Sequence, residues 1–119
     1  MPRAIGLQLA YYVFLLGDLA GAEQFLQRLL AIHPDDVEIL ENLAVAISRQ
    51  NGRGQDALPL YQRVCELRPE SVNAWSGLTH ALARTGQHQQ AQAAGERTLQ
   101  LKTEAAAVLP GWAPPEASP

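Results

Sequence analysis

Residues 73–86, Asn73-Ala74-Trp75-Ser76-Gly77-Leu78-Thr79-His80-Ala81-Leu82-Ala83-Arg84-Thr85-Gly86, decide the fold, together with Ala91 five positions after the last glycine. Apolar and small residues recur at helical spacing, the run stops at a glycine, and a second helical pattern starts at once. The same arrangement occurs twice more upstream. Gly17, Gly52 and Gly86 stand 35 and 34 residues apart, and Ala22, Ala57 and Ala91 keep those steps. Ile32, Leu67 and Leu101 keep them too, while Leu9, Leu43 and Leu78 are 34 and 35 apart. Pro34 and Pro69 close the first two units. A period of about 34 residues predicts an all-α solenoid, because one helix pair cannot bury its apolar face alone and must stack on the next.

Composition agrees with a packed repeat domain. The 119 residues suit a single domain, and the 47% hydrophobic content supports a core. Charged residues make up 18%, below the usual ~25%, so part of the surface is apolar or covered by a partner. A net charge of -3 argues against nucleic acid as a partner, since that needs a basic face. The lone Cys65 excludes an internal disulfide, and its helical core position predicts a buried, inert thiol. Residues 4–16, with Arg3 before and Ala20-Gly21-Ala22 after, imitate a secretory signal. They are too short to span a bilayer, Gln8 and Asp18 fit a signal poorly, and Leu9, Gly17 and Ala22 lie in repeat register. The repeat explains more of these residues. It predicts a cytoplasmic chain without an integral membrane span, with export as the alternative.

The repeat domain is expected over residues 1–109. Its units run from about 3 to 34, 35 to 69 and 70 to 103, followed by a C-terminal capping helix to 109 and a flexible proline-rich tail at 110–119, on which Trp112 folds back onto the last helix. In unit one, helices are expected over 4–16 and 19–32, with Gly6 weakening the first and Ala22, Phe25, Leu26, Leu29, Leu30 and Ile32 as the buried stripe of the second. Glu23 falls on the opposite face. In unit two, Asp35 and Glu38 read as a capping box. Ile39, Leu40, Leu43, Ala44 and Ile47 form the first stripe, and Ala57, Leu60, Tyr61, Val64, Cys65 and Leu67 the second. Leu43 to Gly52 is nine residues where the other units have eight, so a lengthened turn is expected around Asn51-Gly52-Arg53-Gly54. Pro59 lies early in the second helix, at the limit of what a first turn tolerates. Ser71 is the expected N-cap of unit three. Trp75, Leu78, Thr79 and Leu82 should face the core, and only Ala91, Ala94, Leu99 and Leu101 remain for the last helix to bury.

These residues resemble the tetratricopeptide repeat family over positions 3–103. The family pattern is a large residue, Leu, a small residue, a large residue and Gly in the first helix and turn, then Ala, an aromatic, a small residue and Pro in the second. Unit three supplies Trp75, Leu78, Thr79, Leu82, Gly86 and Ala91 and departs at Gly95, Thr98 and Thr103. Unit two supplies Leu40, Leu43, Ala44, Ile47, Ala57, Tyr61, Val64 and Pro69. Unit one supplies Leu9, Ala10, Val13, Gly17, Ala22, Leu26 and Pro34, with Gly6 where a large residue belongs and Leu29 where a small one does. The resemblance implies a right-handed superhelix whose concave wall comes from the first helix of each unit. It also implies a groove address for Gln8, Tyr11, Phe14 and Leu15 in unit one and for Glu38, Glu41, Asn42, Val45, Ser48 and Arg49 in unit two. Unit three gives Asn73, Ser76, His80 and Arg84. Asn42 matches the asparagine that holds a bound peptide backbone in the family. Gln8 and Gly77 do not, so no continuous asparagine ladder forms, and Asn42, Arg49 and Arg84 are too few for the carboxylate clamp of chaperone-binding members.

No catalytic or cofactor motif competes with this reading. GxxxxGKS/T, GxSxG and HExxH are absent, and His33, His80 and His88 include no pair at the i, i+4 spacing of a helical metal site. Arg49 and Arg84 suit a peptide carboxylate by charge-assisted hydrogen bonds, and solvated surface arginine is the equal alternative. The expected function is a non-catalytic scaffold that binds a peptide or helix of a protein partner in its groove. The alternatives are an accessory repeat segment of a larger enzyme, such as a glycosyltransferase, or a secreted or membrane-attached assembly factor. Tyr11, Tyr12, Phe14 and Leu15 span more than one face of the first helix, which has no preceding unit to cover it. Self-association through these four residues, most simply as a two-fold homodimer, is therefore expected; a heterologous partner or a further part of a longer chain would satisfy the same surface.

Overall fold

The computed structural model describes residues 2–107. They form six helices: α1 Arg3–Leu15, α2 Leu19–Ile32, α3 Val37–Ser48, α4 Gly54–Leu67, α5 Val72–Arg84 and α6 His88–Ala107. Each helix packs on its neighbour in chain order, and the described residues contain no strand. This is an α-solenoid of three helix-turn-helix units. The expected Pro110–Pro119 tail, the position of Trp112 and the last two residues of the capping helix lie outside the described residues. Within them the third unit's second helix and its extension are one continuous helix, α6.

Glycine sets the turn inside every unit. Gly17, Gly52 and Gly86 have φ of 86°, 76° and 81°, a region in which a Cβ is strained. In units one and three the turn closes by a backbone bond that reaches back five residues, Asp18 to Val13 and Gln87 to Leu82. Unit two carries its extra residue where expected, between Ser48 and Gly54. The starts of α2, α3 and α5 are capped by Asp18, Asp36 and Ser71, which accept from the amides of Gly21, Ile39 and Ala74. The Asp35–Glu38 capping box does not form. The helix begins one residue later than that box requires, so Asp36 is the cap. Asp35 instead pairs with Arg63 and Glu38 with Arg3.

The core consists of the residues that face the next helix, including Leu26, Leu29, Ile39, Leu43, Val64 and Leu82. Cys65 is buried among them, and burial pushes its thiol up to about 11, consistent with an inert side chain. Two expectations for the core fail at its edges. Ile32 and Leu99 are exposed, because among the described residues no helix covers those faces. Trp75 packs against the core as expected while staying half-buried, and its indole N–H donates to the Pro69 carbonyl at 2.8 Å. Thr98 takes the buried place on α6, bonding its own helix at Ala94. Glu23 is buried as well, held by Arg53 and Gln50 from the lengthened turn.

Candidate functional site

The first helices of the units, α1, α3 and α5, lie in one layer, which is the layer expected to form the concave wall, and α3 touches α5 across it. On α3 the spacing of Glu38, Glu41, Asn42, Val45 and Arg49 puts all five on one stripe. Opposite them, Tyr11 and Phe14 project from α1. Between the two helices lies a recess of about 210 Å³, floored by Ala10 and Leu26 and walled by Tyr11, Phe14, Asn42, Val45 and Arg49. The Arg49 guanidinium stacks over the Phe14 ring, 5.1 Å from its centroid.

One repeat position explains why the recess is here. Leu26, Tyr61 and Gly95 are equivalent, 35 and 34 residues apart, and so are Asn42 and Gly77. Between units two and three the Tyr61 ring fills the space over α5, so closely that a Cβ at Gly77 would lie 2.3 Å from its Cε1. Between units one and two the shorter Leu26 stops below Asn42 and leaves the recess open. At the far end Gly95 fills nothing, and a shallow hollow lined by Ser76, Thr79, His80 and Leu99 takes its place. Consistently, α3 and α5 touch each other more closely than α1 and α3 do.

The N-terminal half of α3 faces a second, polar hollow lined by Arg3, Asp35, Asp36, Glu38, Glu41 and Arg68, among others. Arg3 and the backbone amide of Ile39 hold the Asp36 carboxyl below its ordinary range, whereas burial and the neighbouring Glu38 raise Glu41. The wall therefore carries negative charge at one end of α3 and positive charge at the other. Among the described residues the ion pairs use Arg3, Arg53 and Arg63, and neither Arg49 nor Arg84 has an acidic partner. No group of three or more His, Cys, Asp or Glu among those residues is arranged to hold a metal ion, and no helix is long and apolar enough to cross a membrane.

Two tetratricopeptide repeat family models match the sequence, one over residues 3–46 and one over 48–109. The chain belongs to the tetratricopeptide repeat family. Solved structures share the fold. The structure titled "MamA MSR-1 C2" superposes with a TM-score of 0.78 at 17% identity, over 88% of this chain and 60% of that one. "MamA RS-1 ArsTM double mutant" gives 0.81 at 15%, over 88% and 58%. "MamA AMB-1 P212121" gives 0.76 at 18%, over 91% and 61%. This chain thus spans about three fifths of the length of these relatives. No curated protein matches it in sequence.

The tetratricopeptide register distributes the expected groove residues unevenly. Tyr11, Phe14, Asn42, Val45 and Arg49 meet around the recess. Glu38 and Glu41 line the polar hollow, and His80 and Ser76 the shallow one. Gln8, Leu15, Asn73 and Arg84 are exposed and line none of these three, and Ser48 bonds back to the Val45 carbonyl. The structure also splits the expected self-association patch. Phe14 turns into the recess. Tyr11, Tyr12 and Leu15 stay more than half exposed and are joined by Ile5, Leu9 and Leu16, which the sequence reading did not include. Their signal was available in the repeat itself, as the equivalents of Ile5, Leu9 and Tyr12 in the later units show below.

Proposed function

We propose that this tetratricopeptide repeat chain is a non-catalytic interaction scaffold that holds an extended or helical segment of a protein partner along its concave wall. The recess between α1 and α3 carries this reading. It is a concave, apolar-floored site on the wall the family uses, rimmed by the Asn42 amide and the Arg49 guanidinium. Asn42, Arg49, His80 and Arg84 supply the polar contacts and Tyr11 an apolar one. A partner captured from the native host and mapped to a peptide tests the reading. Asn42→Ala and Arg84→Ala should each weaken that peptide by about 1 kcal/mol or more, the cost of a lost hydrogen bond to a buried or charged group. Unchanged affinity in both moves the site to the convex face.

A second association is supported by α1. Ile5, Leu9, Tyr12 and Leu16 repeat at helical spacing along a face that points away from the solenoid, 53%, 39%, 53% and 84% exposed. In units two and three the equivalents of the first three are Ile39, Leu43 and Ala46, then Ala74, Leu78 and Ala81. All six are buried by the second helix of the preceding unit. We read the bare α1 face as a homodimer contact through a second copy of α1. The compartment proposed is the cytoplasm. Residues 4–16 are read as part of the repeat and not as an export signal, since α1 packs through Gly6 and Ala10 onto α2.

A further inference from the structure

We infer that the α1–α3 recess anchors an acidic-apolar segment of a partner: one large apolar side chain enters the recess, and an adjacent aspartate or glutamate side chain meets Arg49. This rests on the groove reading above and names the chemistry of its ligand.

Size limits the occupant. At about 210 Å³ the recess is below the range of roughly 300–1,000 Å³ usual for whole small molecules. It is of side-chain scale. The floor is apolar, since Ala10 and Leu26 are each only 2% exposed. An apolar side chain seated on that floor meets apolar atoms, and the Asn42 amide and Arg49 guanidinium in the wall are left for the polar groups of the same segment. The site is open because Leu26 stands where Tyr61 fills the next interface, so a partner's side chain completes packing that unit two supplies for itself.

Charge decides what lies beside that side chain. The Arg49 guanidinium lies over Phe14, 5.1 Å from the ring centroid, and the residue is exposed, so its N–H donors remain available to a carboxylate, which a guanidinium can take through two parallel hydrogen bonds. No acidic side chain among the described residues pairs with it. Arg49 is the C-cap of α3, and the partial negative charge of that terminus, about half an electron, is smaller than the full charge of the side chain. Glu41 and Glu38 lie about 12 and 17 Å away along α3 at 1.5 Å per residue. That is beyond the ~8 Å screening length, so they do not cancel Arg49. Glu38 is paired with Arg3, but Glu41 is in no ion pair among the described residues and disfavours a carboxylate at that end, which sets the direction of the segment: acidic towards Arg49, neutral or basic towards Glu41.

A random peptide library displayed on phage, with the variable segment joined to coat protein at its C-terminus so that no terminal carboxylate is offered, is selected against the intact chain. Selected peptides are then synthesised with amidated ends and titrated by fluorescence anisotropy. The expected peptides pair Leu, Phe, Met or Trp with a nearby Asp or Glu. Arg49→Gln should weaken them about tenfold or more, as for a lost charge-assisted bond, and rising salt should weaken wild type but not the variant. Leu26→Phe fills the recess from its floor and Val45→Phe from its wall. Either one, if folded by circular dichroism, should abolish binding. Peptides that bind the Asn42→Ala variant weakly but are indifferent to Arg49→Gln and to both filling variants overturn this proposal and leave the groove reading standing. Failure to select any peptide, or equal binding to every groove variant, overturns both.

Discussion

Glu23 shows what one residue contributes and what the sequence hides about it. Helical periodicity places it on the polar face of α2, yet it is buried, because the lengthened turn of unit two brings Arg53 and Gln50 across to it. The Arg53 hydrogen bond, with help from Gln50, holds its carboxyl below the ordinary range. A carboxyl whose folded value is depressed stabilises the chain fully above its unfolded value, about 4.3, and that contribution is lost as pH falls through the folded value. Wild type should therefore lose thermal stability as pH drops below about 4.3, and Glu23→Gln, which does not ionise, should show a shallower fall of Tm over the same range. Parallel Tm curves for the two proteins would show that Glu23 carries none of the acid sensitivity. Other single residues were legible. Ser71 as a cap, Cys65 as core and the turn glycines need only local rules. Glu23 was not, since its partner lies 30 positions away in a turn whose path no periodicity describes.

Elements were read well wherever the repeat register spoke, and poorly where two departures compensate each other. Gly6 and Leu29 each break the family pattern, one too small and the other too large. In the structure they meet: a Cβ at Gly6 would lie 2.6 Å from Leu29 Cδ2, so the large side chain has moved from α1 to α2 and the contact is kept. The same complementarity joins Gly77 to Tyr61. Periodicity sees each half of such a swap as an error, because it compares equivalent positions and not facing ones. The α1 helix also carries the prediction about self-association. Burying an aliphatic or aromatic side chain is worth roughly 1.5–3 kcal/mol, and Ile5, Leu9, Tyr12 and Leu16 are all left in water. Sedimentation equilibrium should find wild type dimeric at high micromolar concentration and Leu9→Glu/Tyr12→Glu monomeric with an unchanged circular dichroism spectrum. A monomeric wild type rules the homodimer out. Tyr11→Glu/Phe14→Glu separates this face from the groove, since those two side chains border the recess and should leave the dimer intact.

At the scale of the whole molecule, three stacked units place the working surfaces on different sides. The first helices share one wall and the second helices the other, with the exposed apolar face of α1 at one end of the described stack and α6 at the other. Repeat spacing made the register legible, and the resemblance to the family implied which helices make the wall. Neither gave the recess, because that depends on side-chain length at one position, Leu26 against Tyr61, across an interface. A partner seated on the wall of first helices would shield their amides, so hydrogen exchange of the chain should be compared with and without its captured partner. Slowed exchange is expected in α1 and α3, around residues 10–15 and 42–49, and extending into α5. Protection confined to α2, α4 and α6, with α1, α3 and α5 unchanged, would contradict a partner seated there.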